Sequence, residues 1–479
     1  MRAATFCLVA LAVTFVEYAS PAADDVVKTD PKTPANELKT FHVPPGFEVQ
    51  LVASEPDIHK PLNMAFDDRG RLWVTDTLEY PFAAPPTRKA RDTVKILEDF
   101  GPDGRARKVR TFADDLNIPI GLLPISNGVI VHSIPNIYRI TDTDGDGKGD
   151  RREVLYGPVG YGDTHGMTSG FTWGLDGWIY AGHGFANTST LKAKDGSSIT
   201  MTSGNTYRFK PDGSRIEQFT WGQVNPFGLS FDPLGNLFSA DCHTKPIMML
   251  LRGGYYESFG KPHDGLGFAP EICPNYAGST AIAGIAYYAA DHFPPKYRDT
   301  AFIGDVMTNH VINYRLVRHG STLKAEPLPD FLLSDDPWFR PVDVKLGLDG
   351  ALYVADFYNR IIGHYEVPLT HPGRDRERGR IWRIIYRGPD GNGKPVPPRP
   401  DWTKASIDEL IGDLAHPNLV VRTKAANQLV DRGDKAAVAA VQKLMEPRSN
   451  VFQRMHGLWV LERTRSLDDD TLAAAAGDS

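Results

Sequence analysis

The stretch Phe66-Asp67-Asp68-Arg69-Gly70-Arg71-Leu72-Trp73-Val74-Thr75-Asp76 holds the end of an apolar strand, an Asp-x-x-Gly turn and a second strand of aromatic and β-branched residues. That order is a hairpin signature, because Gly accepts the positive φ of a tight turn and the two flanks can pair. The pattern returns as Phe231-Asp232-Pro233-Leu234-Gly235-Asn236-Leu237-Phe238-Ser239-Ala240-Asp241, and again from Leu346 through Asp349-Gly350-Ala351-Leu352-Tyr353-Val354-Ala355-Asp356. Weaker copies run from Trp173 to Tyr180, from Leu122 to Val131, and from Ile282 to Asp305, where a longer loop replaces the turn. With Phe66, Leu122, Trp173, Phe231, Ile285 and Leu346 as anchors, the spacings are 56, 51, 58, 54 and 61 residues.

A hairpin alone cannot bury both faces, but units of this length have room for four strands each. Radial repetition of such sheets leaves only short, protected edges. The expected fold is therefore mainly β, a six-bladed β-propeller over residues 41–387. The segment Phe47 to Ala53 is available as an outer strand that closes the ring on the last blade. Residues 388–401, rich in Pro and Gly, read as a linker. Beyond it the apolar period becomes helical, in Ser406–Leu414, Val420–Leu429, Lys435–Met445 and Val451–Arg463. The Pro-x-x-Val-Val-Arg-x-x-Ala-Ala run that begins at Pro417 resembles the HEAT repeat, so 402–479 is expected to be a short helical-repeat segment. About two repeats are present where such arrays need roughly three, which implies an incomplete array.

The rest of the composition narrows the partners. A formal charge of −6 over 479 residues gives no basic surplus for nucleic acid, which leaves small molecules or proteins. Arg2, the apolar run from Ala3 to Val16 and the small residues Ala19, Ser20, Ala22 and Ala23 read as a signal peptide over 1–23, followed by a flexible segment over 24–40. The mature chain is then exported, periplasmic or at the cell surface, soluble or peripherally attached to a membrane. Loss of Cys7 with the leader leaves Cys242 and Cys273, which an oxidising compartment could bridge or which stand as two buried thiols.

Asp142-Thr143-Asp144-Gly145-Asp146-Gly147, with Asp150 and Glu153 following, fits the calcium-loop template D-x-[DN]-x-[DN]-G-x5-E. Alternate carboxylates would converge on a hard cation while Gly147 makes the sharp turn. The flanks Ile137–Ile140 and Val154–Tyr156 look like strands, so the motif reads as a calcium-stabilised hairpin loop or, alternatively, a solvated acidic turn.

Hairpin geometry also locates a candidate site. The Asp-x-x-Gly turns lie at one end of each unit, so polar residues before first strands and after second strands share the opposite face. These are His165, Asn225, Arg340 and Asp343 on one side of the hairpins, and Asp76, His183, Asp241, Asp305, Asn309 and Asp356 on the other. Around a channel mouth they would suit a polar ligand or metal; as corner residues they would instead satisfy backbone donors.

Together, Gly162-Asp163-Thr164-His165-Gly166, Gly222-Gln223-Val224-Asn225-Pro226-Phe227-Gly228, Thr141 to Gly147 and Arg376 to Ile384 resemble the membrane-bound dehydrogenase family. These are large exported bacterial proteins whose N-terminal propeller is related to soluble pyrroloquinoline-quinone (PQQ) sugar dehydrogenases, often followed by HEAT repeats and a haem c domain. The resemblance implies His165 as general base, Asp163 beside it in the site, PQQ as cofactor, a sugar or alcohol as substrate, and an electron-acceptor or scaffold protein as a partner of the HEAT-like segment. Val224 stands where those enzymes place an Arg, and Asn309 where a cofactor-binding Lys is expected. No C-x-x-C-H occurs, so no haem c is expected in this chain. The functions that follow are an oxidoreductase acting on sugars or alcohols, a non-catalytic carbohydrate- or protein-binding propeller, and a calcium-dependent lactonase-like hydrolase.

Overall fold

The repeated turns close because each carboxylate serves its own loop. Asp67 accepts from the backbone N–H groups of Arg69 and Arg71, both at 2.9 Å, and from Trp73 Nε1 at 2.8 Å. Asp232 repeats this with Leu234 and Asn236, at 2.9 and 2.8 Å. Gly70, Gly177, Gly235 and Gly350 take the left-handed φ that each turn requires.

The structure is a computed structural model that describes residues 26–242, 244–258, 268–273, 281–363, 367–395, 397–446 and 448–477. It is a six-bladed β-propeller followed by helices. Blade 1 is Pro61–Phe66, Leu72–Asp76, Asp92–Phe100 and Ala106–Leu116, and blade 2 is Leu122–Ile125, Gly128–Ser133, Asn136–Thr141 and Arg151–Tyr156. Blade 3 is Ser169–Trp173, Ile179–His183, Asn205–Phe209 and Ile216–Thr220, with a second hairpin, Thr188–Lys192 and Ser198–Thr202, inserted after its second strand. Blade 4 has Asn225–Phe231, Leu237–Cys242 and Met248–Leu250 among the described residues. Blade 5 is Ile282–Tyr287, Thr300–Asp305, His310–His319 and Thr322–Ser334, with the short strand Phe41–His42 added at its edge. Blade 6 is Pro341–Leu346, Leu352–Asp356 and Arg380–Tyr386, completed by Phe47–Ser54, which pairs with Arg380–Tyr386. The ring is thus closed by the chain's own early strand.

Apolar layers between blades hold the ring. At the closure, the Phe47 ring meets Phe293, Phe331 and Tyr297 edge-on at 4.8, 5.0 and 5.2 Å. At the axis the inner strands nearly touch: a Cβ on Gly228 would lie 2.8 Å from the Gly284 Cα, so glycine is required there.

Residues 26–40 are anchored, where the sequence suggested a flexible segment. Helix α1 (Pro34–Glu37) carries a fully buried Glu37 onto Arg380, and Lys32 pairs with Asp336 at 3.4 Å. These ion pairs are long-range and leave no local pattern.

The C-terminal helices are α2 (Ile407–Asp413), α3 (Leu419–Arg432), α4 (Lys435–Gln442), α5 (Val451–Arg463) and α6 (Asp469–Ala476). They pack on the turn end of the propeller. Asn418 caps α3 and donates from Nδ2 to the carbonyl of Gly347 at 2.8 Å, while Lys424 and Gln428 hold Asp68 at 3.1 and 2.7 Å. The turn end of the channel is therefore covered by the helices. Among the described residues no helix is long and apolar enough to cross a membrane. No disulfide joins Cys242 and Cys273.

Candidate functional site at the channel mouth

The corner carboxylates are largely engaged by backbone. Asp76 accepts from the N–H groups of His59 and Lys60 at 2.9 and 2.7 Å. Asp241 does the same for Val224 and Asn225 at 3.1 and 2.7 Å, and burial pushes its carboxyl up to about 6. Asp356 takes Arg340 and Tyr358, both at 2.8 Å, and Asp305 takes Met307 and Thr308, both at 3.2 Å. Each of these pins the chain that enters a first strand or leaves a second one.

Other expected site residues bind neighbouring blades. Asp343 accepts from Met64 N–H at 2.9 Å and so joins blade 6 to blade 1. Asn309 donates to the Phe339 and Pro337 carbonyls at 2.5 and 3.3 Å. His183 is fully buried, with Nδ1 at 2.8 Å from the Ser203 carbonyl and Nε2 at 2.7 Å from Ser189 Oγ, which ties the inserted hairpin to blade 3. Buried Arg340 donates to the carbonyls of Val306 and Asn359 at 2.8 and 3.1 Å, and desolvation pulls its guanidinium down to about 10.

His165 and Asp163 are different, because they meet each other. His165 Nδ1 lies 3.0 Å from Asp163 Oδ1, and its backbone N–H donates to the same oxygen at 2.8 Å. Both side chains keep partial exposure, 16% and 18%. The loop that carries them is braced from three sides. Thr164 Oγ1 donates to the Pro81 carbonyl at 2.6 Å, Asn187 Nδ2 donates to the Asp163 carbonyl at 2.7 Å, and Asn225 Nδ2 donates to the His165 carbonyl at 3.3 Å. Asp163 orients the imidazole through Nδ1, and the other ring nitrogen, Nε2, is buried.

Tyr80 belongs to this site and carried no signal in the sequence. Its ring stands edge-on to His165 at 5.1 Å and to Phe357 at 5.5 Å. Burial and the Asp163 charge push its phenol above the ordinary range, with Arg374 opposing them. The approach of the loop between blade 1's second and third strands to the loop that enters blade 3 brings Tyr80 here.

The fit to a three-carboxylate quinone can be tested on the cations around this mouth. Lys60 Nζ is held by Asp375 at 2.9 Å and by the carbonyls of Tyr358 and Phe357 at 2.6 and 2.9 Å, and burial lowers it to about 8. Arg374 is bound to the Gly363 and Val367 carbonyls at 2.6 and 2.8 Å, and Arg340 is engaged as above. These cations serve backbone carbonyls and Asp375, and Val224 and Asn309 add none. Lys60, Arg340 and Arg374 are thus committed to the protein's own acceptors and have little left for the carboxylates of PQQ.

The acidic motif lies elsewhere, in the outer hairpin of blade 2. Asp142, Asp144 and Asp146 come within 4.8 Å of one another. Asp150 is instead bonded to Thr143 Oγ1 at 2.5 Å, and Glu153 pairs with Lys194 at 3.2 Å. Three of the five expected ligands converge.

Residues 33–388 match the family described as "Domain of unknown function (DUF7133)". No curated protein matches the sequence. Solved structures with a similar course include a candidate glucose dehydrogenase of Thermus thermophilus, at 17% identity over 71% of this chain and 100% of that one, with a TM-score of 0.49. The PQQ-bound aldose sugar dehydrogenase of Streptomyces coelicolor is similar at 17% identity over 72% of this chain and 100% of that one, TM-score 0.45. A streptogramin B lyase is similar at 12% identity over 73% and 98%, TM-score 0.38. A shared fold carries no particular chemistry, so the residues of the mouth must supply the argument.

Proposed function

We propose that this chain, which belongs to the DUF7133 family, is an exported oxidoreductase-like propeller that takes a sugar or alcohol at the mouth opposite the helices. The observation that carries this reading is the Asp163–His165 hydrogen bond, 3.0 Å long, between two side chains that keep partial exposure. Nε2 of His165 is itself buried, so a ligand hydroxyl would give it a proton only after the side chains that cover it move aside. Tyr80 sets its ring edge-on against the imidazole. Oxidation also needs an acceptor for two electrons, and no step is assigned to PQQ because the cations of the mouth are engaged elsewhere. That engagement favours a second reading, a propeller that binds sugars without turnover. The acidic loop of blade 2 would hold calcium as a structural ion.

The test is a panel of sugars and alcohols with a dye acceptor, with and without added PQQ and calcium, beside calorimetric binding of the same panel. Turnover lost in His165→Ala, with thermal unfolding unchanged, is the expected result. Binding without reduction selects the second reading. Neither binding nor reduction by any compound removes both.

A further inference from the structure

A second cavity lies at the other end of the molecule. Between the turn ends of blades 2 and 3 and helices α3 and α5 is a cleft of about 490 Å³, within the size range of small-ligand sites. Its walls carry Arg139, Arg151, Lys424 and Arg463 against the carboxylates Asp68, Glu153 and Asp431. On a chain with a net charge of −6 this is a local excess of cations.

The two kinds of group are not equally engaged. Asp68 is taken by Lys424 and Gln428, and Glu153 by Lys194. The donors have more left to give. Arg139 Nε is buried and finds no acceptor, although its Nη2 reaches the Pro211 carbonyl and its Nη1 lies 4.0 Å from Glu153. Among the described residues Arg463 has one side-chain bond, from Nη1 to Asn427 Oδ1 at 2.8 Å. Arg151 is exposed, and its guanidinium has no ion pair or hydrogen bond among the described residues. Asp431, near the charges of Arg463 and Lys424, is the wall carboxylate left without a hydrogen bond or ion pair among the described residues, so the donors of Arg151 and Arg463 outnumber the acceptors left and favour an acceptor-rich, anionic ligand.

Size and one further wall define the ligand. Trp173 is half-buried and lines both this cleft and the apolar end of the channel, offering indole surface to a ring. A lone inorganic anion would fill little of the volume. A sugar presents an apolar face for stacking, hydroxyls that donate to carboxylates and accept from guanidinium groups, and, if acidic, a charge for Arg151.

We propose that this cleft binds an acidic saccharide, with its carboxylate or sulfate groups at Arg151 and Arg139 and a ring against Trp173. The site is distinct from the mouth that holds His165, and either can fail without the other.

The experiment is calorimetric titration of the full chain with tri-galacturonate, a sulfated tetrasaccharide, neutral maltotriose and sodium sulfate. At least one acidic saccharide should bind and maltotriose should not, and the responding probe identifies carboxylate or sulfate as the recognised group. Arg151→Ala should weaken binding about tenfold, as expected for one charge-assisted contact, and Arg151→Glu should abolish it. Both variants should unfold at the wild-type temperature, because Arg151 is exposed. His165→Ala should bind the acidic saccharide as wild type does. No binding by either acidic probe, equal binding of maltotriose, full competition by sulfate, or unchanged affinity in both Arg151 variants would each overturn the proposal.

Discussion

His132 is fully buried in the second strand of blade 2, and neither ring nitrogen has a hydrogen-bond partner. Burial, with His183 nearby, pulls it down to about 3. Buried His456 behaves alike: burial and the Arg422 guanidinium, whose Nε lies 3.1 Å from its Nε2, take it to about 3. Both imidazoles are neutral in the fold, whereas an unfolded histidine gains its proton near 6.5. The stability each contributes is complete above about 6.5 and is lost as pH falls from there towards 3, reaching roughly 2 kcal/mol per residue by pH 5. His132→Leu replaces an imidazole without partners by an apolar group of similar size, a change close to neutral at pH 7.5. Urea unfolding at pH 5 and 7.5 should therefore show a smaller gap between midpoints in His132→Leu than in wild type. An unchanged gap would show that His132 does not titrate as described.

At the scale of elements, the loop between Thr141 and Arg151 is already closed by its own hydrogen bonds. Asp142 accepts from Gly145 N–H at 2.7 Å and Gly147 N–H at 2.9 Å, so an ion is not needed to form the turn. With Glu153 held by Lys194, calcium would meet an incomplete cage and bind weakly, in the range of roughly 10⁻⁴ to 10⁻³ M. Millimolar calcium should raise the unfolding temperature by a degree or two, and Asp144→Asn should erase that rise; magnesium at the same concentration serves as control. The same loop shows what sequence could and could not reveal. Hairpins were legible because Asp67 and Asp232 make bonds to residues two and four places on, a purely local pattern. The closing strand was legible because its apolar run had no other partner. Glu153 was not, since its fate depends on Lys194 across a gap of 41 residues. The inserted hairpin at Thr188–Thr202 and the edge strand Phe41–His42 were likewise missed, the first for lack of an Asp-x-x-Gly repeat in the anchor register, the second because it is two residues long. At the site, Asp163 and His165 were visible as residue types in a motif. Tyr80 was not, because it owes its place to the packing of two loops.

For the whole molecule, the critical joint is where the ring closes on itself, and Arg380 sits in it. This fully buried side chain reaches Glu37 of α1, Glu55 just after the closing strand at 2.9 Å and the Lys32 carbonyl at 2.5 Å, while stacking on Tyr358 at 3.7 Å. It therefore joins the anchored N-terminal segment, the closing strand and the last strand of blade 6 in one network. Burial and the adjacent Asp356 push the Glu37 carboxyl well above its usual range, and Arg380 opposes both. Removing the cation would leave Glu37 and Asp356 facing each other out of water. Arg380→Met should thus cost on the order of 3–5 kcal/mol, the loss expected when one partner of a buried pair is deleted. Adding Glu37→Gln removes the buried acid left facing Asp356 and should recover a good part of that loss, because the energy lies in the acid left without its partner more than in the pair itself. Urea denaturation of the two single variants and the double variant gives the coupling directly. If the two losses simply add, the network does not act as one joint, and closure rests on the apolar seam around Phe47 alone.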